Sequence, residues 1–157
     1  MFEMLLRILL WLFVMNIGIA FGAGLFEGRI TFANWLTSTS DGALHWNAER
    51  ARSDNTGLRF WVFVTTVPLT LLAAANLISA WFAVGELRLW WLTAAIAVVI
   101  ERVLTFVYLI PTMVRLLAAA DSPQSVAVAV RWERLNYVRH LLTLAAWLSA
   151  LQAFGLR

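Results

Sequence analysis

The charges of this chain are so sparse that the gaps between them dictate what it can fold into. Nineteen uncharged residues separate Arg7 from Glu27, twenty-six separate Arg59 from Glu86, and seventeen separate Arg139 from Arg157. A transmembrane helix needs about 20 predominantly apolar residues. A further apolar run, Leu89 to Val114, is broken at its centre by the adjacent Glu101 and Arg102. Each half holds twelve residues, too few to cross, so the spacing predicts one helix with two charges at the bilayer midplane. Four spans result, near 4–27, 58–84, 88–118 and 132–155. Backbone in lipid finds no hydrogen-bond partners outside itself, which makes all four helical.

Composition leads to the same fold class, an all-α four-helix transmembrane bundle formed by residues 1–157 as one domain. The chain is 62% hydrophobic and 13% charged, with a mean hydropathy of +0.78, against about 45–50% apolar and ~25% charged for soluble domains. The rival reading of the first segment is a cleaved signal peptide. Glu3 precedes Arg7, so there is no basic leader, and the apolar run exceeds the usual ~7–15 residues; the segment is expected to stay as a span.

Every one of the 12 basic residues is Arg, and Cys is absent. Disulfides, thiolate nucleophiles, CxxC redox pairs and thiol-based quinone reduction are thereby excluded. A net charge of only +3, carried by scattered Arg residues, argues against nucleic acid as a partner. Seven Arg residues (29, 50, 52, 59, 115, 131 and 134) fall on the long-loop side against Arg7, Arg88 and Arg157 on the other. Positive-inside counting then places both termini outside.

The connections are unequal: a long loop over 28–58, a short turn at 84–88 and a polar link over 116–132. In the loop, Asp41 is expected to cap a short interfacial helix over Gly42–Arg52 that ends before Asn55 and Gly57. Leu44, Ala48 and Ala51 give that helix a weak apolar face, and Trp35 and Trp46 suit the headgroup level. Such a helix lies on the membrane or caps the bundle.

Polar residues recur at helical spacing on three spans. Asn16, Ala20, Ala23 and Glu27 share a face of the first, with Gly18 and Gly22 placed for close helix approach. Glu101, Thr105, Tyr108, Thr112 and Arg115 share a face of the third, and Pro111 should free a carbonyl near Val107. On the fourth span the shared face is Glu133, Asn136, His140, Thr143 and Trp147, flanked by Arg139. The second span offers only Thr65, Thr66 and Asn76. Neighbours in sequence diverge on a helix, so Glu101 and Arg102 are expected to point inward to separate partners, with Asn16 at matching depth. A charge at the bilayer centre costs at least ~2.5–3.5 kcal/mol on insertion scales and usually faces a bundle interior or a wet cavity. The plainer alternative is an ion-pair network that fixes helix register.

The expected catalytic set is Glu27, Glu101, Arg102, Tyr108, Asn136 and Arg139. Desolvated Glu27 or Glu101 would serve as base, and Arg102, Arg139, Asn136 or Tyr108 would stabilise an oxyanion. Glu27, Tyr108, Asn136 and Arg139 are expected to cluster between the midplane and the long-loop mouth. His45 and His140 lack the spacing of a metal site, so no metal is expected; either would be the axial ligand if haem were bound.

Several segments resemble the anthrone oxygenase-like family of small four-helix integral membrane proteins. They are the run from Arg59 to Pro68, the stretch Tyr108–Leu117, and Arg131-Trp-Glu-Arg-Leu-Asn-Tyr-Val-Arg-His140 with the Leu-Thr-Leu-Ala-Ala-Trp-Leu-Ser-Ala that follows. The similarity covers about half the chain, and its motifs fall on Tyr108, Pro111, Arg131, Trp132, Asn136 and Arg139. It implies a membrane bundle and, for the named members, cofactor-independent oxidation of an anthrone to an anthraquinone. The expectation is therefore an oxidoreductase acting on a lipophilic small molecule among membrane lipids, no cofactor being favoured and self-association left open. Two alternatives stand beside it: a haem-containing isomerase resembling styrene oxide isomerase, and a non-enzymatic scaffold or carrier subunit.

Overall fold

A computed structural model describes all residues, Met1–Arg157, and it is all-α apart from one small hairpin. Helix α1 runs Phe2–Trp35. It was expected to stop near residue 27, but a π turn over Glu27–Thr31 carries it on into Phe32–Trp35. At 1.5 Å per residue its 34 residues reach about 51 Å, well beyond a hydrocarbon core of ~30 Å. The extension is held by packing, Phe32 and Trp35 being buried with Trp46 and Trp132 in a cluster of their own.

Helices α3 (Gly57–Trp81) and α4 (Gly85–Ala118) each accommodate a proline with π geometry. In α3 the π segment Gly57–Thr66 precedes Pro68, whose missing N–H leaves the Val64 carbonyl without its helical donor. The Asn16 side chain donates to that carbonyl at 2.8 Å, so Asn16 serves the backbone of α3 rather than the midplane charges. In α4 the π turn Thr105–Leu109 precedes Pro111, and the Trp132 indole donates to the Leu109 carbonyl at 2.9 Å. Helix α5, Pro123–Gly155, begins nine residues earlier than expected. Ser122 caps it, exchanging hydrogen bonds with Ser125, and Pro123 presets the first helical φ. The polar link is thus only residues 119–122.

The four long helices pack in a ring, α1 against α3 and α5, and α4 against the same two. One half of the interior is an apolar core around Leu10, Phe13, Ile17, Leu69, Trp91 and Val98; buried Ala73, Ala80, Ala94, Ala146, Ala150 and Ala153 let the backbones approach. The other half is the aromatic cluster under the long loop. Between them lie Glu101, Arg102, Thr105, Asn136, Arg139, His140 and Thr143, all buried. Outward faces are apolar, with Phe63, Leu71, Val107 and Leu141 exposed. α1, α3 and α4 are long and apolar enough to cross a membrane; α5 matches them in length but carries Arg131, Glu133, Arg134 and Arg139.

The long loop folds over one mouth of the ring. Its first part is an antiparallel hairpin, β1 (Leu36–Ser38) and β2 (Leu44–Trp46), pairing Leu36 with Trp46 and Ser38 with Leu44. Asp41 organises that hairpin's turn instead of capping a helix: its carboxylate accepts from the Thr39 hydroxyl at 2.5 Å and the Ala43 N–H at 3.2 Å, beside Gly42 at φ +84°. The helix expected over Gly42–Arg52 is the shorter α2, Ala48–Asp54, capped by the Asn47 side chain and ended by left-handed Asn55. Trp35 and Trp46, expected at the headgroup level, are each only 2% exposed. Their indoles donate to Asp54 and to the Leu116 carbonyl, both at 2.8 Å, and tie the loop to the bundle.

The packing of α1 on α5 turns on Gly24. A Cβ there would lie 2.6 Å from His140 Nε2 and 2.9 Å from His140 Cδ2. Gly24→Ala should therefore overpack this contact and cost about 1–3 kcal/mol, lowering the thermal midpoint in detergent. Adding His140→Ala should restore much of the loss, and a Gly24→Ala protein as stable as the parent would show that the contact is loose.

Candidate functional site

The site grows from the three π segments. Each lies at the inner end of the aromatic half and turns a polar residue toward the bundle axis: Glu27 from α1, Trp61 and Thr65 from α3, and Thr105 from α4. They surround a cavity of about 330 Å³, at the small end of the ~300–1,000 Å³ typical of small-molecule sites. Arg102 of α4 and Arg139 of α5 complete its polar wall, while Leu58, Val62, Ile110, Met113, Val114 and Leu117 form its apolar one. Trp35, Ala51, Asn55 and Thr56 roof it.

Glu27 is 7% exposed and its Oε1 accepts two hydrogen bonds, from the Thr56 hydroxyl at 2.8 Å and the Trp61 indole at 2.7 Å. These donors fix the carboxylate. Oε2 has no hydrogen bond within the protein and is not sealed off by it, so it opens to the cavity. Arg139 lines the same cavity, its guanidinium carbon 5.1 Å above the ring of Trp61, the indole that donates to Glu27. Its Nη2 lies 3.3 Å from His140 Nε2 and its Nε 4.0 Å from Glu101, which leaves Nη1 as a second open polar atom.

Glu101 and Arg102 do not take separate partners as expected. The guanidinium folds back onto its neighbour in a forked pair, Nε to Oε2 at 2.5 Å and Nη2 to Oε1 at 2.6 Å. The long Arg side chain spans the divergence of the two Cβ directions, and at 2% and 7% exposure neither charge has water to turn to. Thr105 adds a third donor to Glu101 at 3.1 Å, and Arg102 Nη1 stays buried without a partner. Both charges face the interior, as the midplane cost requires.

Of the six expected catalytic residues, Glu27, Arg102 and Arg139 line the cavity. Glu101 stands behind Arg102 as its counter-ion. Tyr108 does not belong to the cavity: it packs at the edge of the aromatic cluster, under Arg131, whose guanidinium carbon is 5.6 Å from its ring. The π turn before Pro111 breaks the regular spacing that placed Tyr108 beside Thr105. Asn136 is buried, with Oδ1 unpartnered, but lies outside the lining. Neither imidazole faces the cavity. His140 is wedged against Gly24, and His45 is on the surface, 2.7 Å from Asp121, so the cavity residues do not offer haem an axial histidine. Thr56 and Trp61 were missed, and Thr65 was noted on the second span but not assigned to the site. The buried face of α3, which runs through Leu69, Ala73, Asn76 and Ala80, points back in steps of four to Thr65 and Trp61, and that was the available signal.

No family model, curated protein or solved structure matches this chain.

Asp121 clasps the roof. Its carboxylate takes the His45 ring at 2.7 Å and the Trp46 N–H at 2.9 Å, and these bonds, His45 first, hold it below the usual carboxylate range. A depressed carboxyl stabilises the fold above its unfolded value of 3.8 and loses that contribution as pH falls through its lowered folded value. Protection of residues 44–54 against hydrogen exchange, taken relative to the intrinsic amide rate at each pH, should consequently hold from neutral pH down to 3.8 and fall only in stronger acid. Asp121→Asn should lower it already at neutral pH; exchange unaffected by that variant would show the clasp to be idle.

Proposed function

We propose that the chain is a multi-pass membrane enzyme acting on a lipophilic small molecule, an oxidoreductase of the anthrone oxygenase-like kind. The observation that carries the reading is the open carboxylate oxygen of Glu27 in the same cavity as the open guanidinium nitrogen of Arg139, both groups adjoining Trp61. A fixed base beside a fixed cation is what proton abstraction next to a carbonyl requires.

The substrate class is a lipophile with an acidic methylene beside an oxygen function. Glu27 Oε2 takes one proton from the carbon, and the charge that delocalises onto the substrate oxygen is met by Arg139. The carbanion adds to dioxygen, forming a C–O bond and reducing the oxygen to a peroxide, which takes a proton. Loss of water, with the second hydrogen of the same carbon, leaves a carbonyl. One methylene and one dioxygen thus give one carbonyl and one water, with no metal or organic cofactor required. Glu101 and Arg102 serve this scheme as a buried pair that keeps a positive edge on the cavity.

The long loop roofs the cavity with Trp35, Ala51, Asn55 and Thr56, and bulk water kept out on that side would strengthen both interactions. With an anthrone as probe substrate and oxygen uptake as readout, Glu27→Gln should lower turnover by about 10²–10⁴, and Arg139→Ala by about 10²–10³. Glu27→Gln retains an acceptor for Thr56 and Trp61, so its thermal unfolding should be close to that of the parent. Full activity in both variants would refute the assignment, and loss of activity in step with loss of stability would make the cluster structural.

A further inference from the structure

The cavity has a side as well as a mouth. Leu58, Val62 and Thr66 follow one another at four-residue steps on α3, and Ile110, Val114 and Leu117 at steps of four and three on α4; all six line the cavity. Two such stripes would normally interlock. Here the outer halves of α3 and α4 form no packed seam, although their inner halves pack closely. Leu58, Val114 and Ile110 are 64%, 61% and 41% exposed while also lining the cavity, so the gap between the stripes joins the cavity to the outer surface.

That gap begins at hydrocarbon depth and runs on toward the headgroups. Ile110 is nine residues from Glu101, about 13 Å along the helix and inside a half-thickness of ~15 Å, whereas Val114 is thirteen residues away, about 20 Å. Every rim side chain except Thr66 is apolar, as a surface wetted by acyl chains requires. At the inner end of the gap stand Glu27 Oε2 and Arg139 Nη1, one acceptor and one donor without protein partners. Side by side, an anionic acceptor and a cationic donor fit a neutral hydroxyl, which donates to the first and accepts from the second. A carboxylate would meet repulsion from Glu27, and a hydrocarbon would leave both groups unpaired.

We propose that the cavity is loaded sideways from the bilayer, between α3 and α4, by an apolar molecule bearing a neutral hydroxyl that seats head-first between Glu27 and Arg139. The inference rests on the cavity being the substrate site, and it adds the route and the head group; an enol hydroxyl that gives its proton to Glu27 leaves the same delocalised anion as the methylene does. The roof is not the route, because Trp35 is tied to Asp54, and Trp46 and Arg52 to the carbonyls of Leu116 and Leu117.

The test uses the full chain in nanodiscs, with 6-bromo-2-naphthol delivered from vesicles and quenching of tryptophan fluorescence read in stopped flow. Val114→Trp places a large side chain at the exposed rim, where it disturbs no core, and should slow association about tenfold or more. Ser53→Trp, on the exposed face of the roof helix and outside the cavity lining, should leave the rate unchanged. In equilibrium titrations the naphthol should bind more tightly than 6-bromo-2-naphthoate or 2-bromonaphthalene. Glu27→Gln should reverse the order of naphthol and naphthoate by presenting an amide N–H to the anion. Slowing by Ser53→Trp with no effect of Val114→Trp would overturn the lateral route while leaving the cavity as the site. Naphthoate binding as tightly as naphthol would overturn the head group. Failure of wild type to bind any of the three would remove both this proposal and the reading beneath it.

Discussion

The forked contact between Glu101 and Arg102 sets the terms for everything around it. An ion pair at the centre of a membrane bundle is tolerated only if both charges meet each other and the hydrogen bonds around them are nearly complete. The two side chains satisfy the first condition on one helix, at 2.5 and 2.6 Å. The second draws in Thr105, which donates to Glu101, and Arg139 of α5, whose Nε lies 4.0 Å from the same carboxylate. Helix α4 must therefore present this face to α5 and the bundle axis, and the apolar and aromatic halves of the interior fall on either side of it. The pair does not use up its surroundings: Arg102 Nη1 remains without a partner, and the adjoining cavity holds the open groups of Glu27 and Arg139.

Proline and π geometry explain why there is a cavity at that point. A π turn adds a residue to the helical circuit and rotates the faces on either side of it. In α3 and α4 the turns precede Pro68 and Pro111, where the helical ladder lacks a donor in any case. The rotation brings Trp61 and Thr105 to the axis and moves Tyr108 off it, and it splays the outer halves of the two helices. The aromatic cluster and the roof, strapped by Trp35, Trp46 and Asp121, hold the splayed ends.

Much of this was legible in the sequence because membrane energetics are strict. The charge gaps located three helices long and apolar enough to cross a membrane and a fourth that is longer and more polar than expected, and the expected cost of a midplane charge turned Glu101 and Arg102 inward. The face through Asn16 and Glu27, together with Arg139, pointed to the polar wall. What the sequence hid was local. Helix ends moved because Glu27–Thr31 continues α1 as a π turn and Ser122 with Ser125 starts α5 early, while Asp41 served a hairpin turn that competes for the same capping chemistry. Tyr108 was misplaced because a regular period of 3.6 was carried through a π turn. Glu101 and Arg102 were denied each other because helical neighbours diverge at Cβ, a rule that a side chain as long as arginine escapes. Thr56 and Trp61 went unseen because their role exists only once α3 has met Glu27.

Most depends on the Glu27 carboxyl group meeting the ligand directly. Ligand-induced infrared difference spectra of the protein in nanodiscs, taken with and without 6-bromo-2-naphthol, test this without reference to turnover. Glu27→Gln serves to assign the carboxylate bands. The account predicts a shift in a carboxylate stretching band on ligand addition that is missing from the Glu27→Gln spectrum. A difference spectrum in which the carboxylate bands persist unchanged in that variant, or one with no carboxylate bands although the ligand binds, would contradict it.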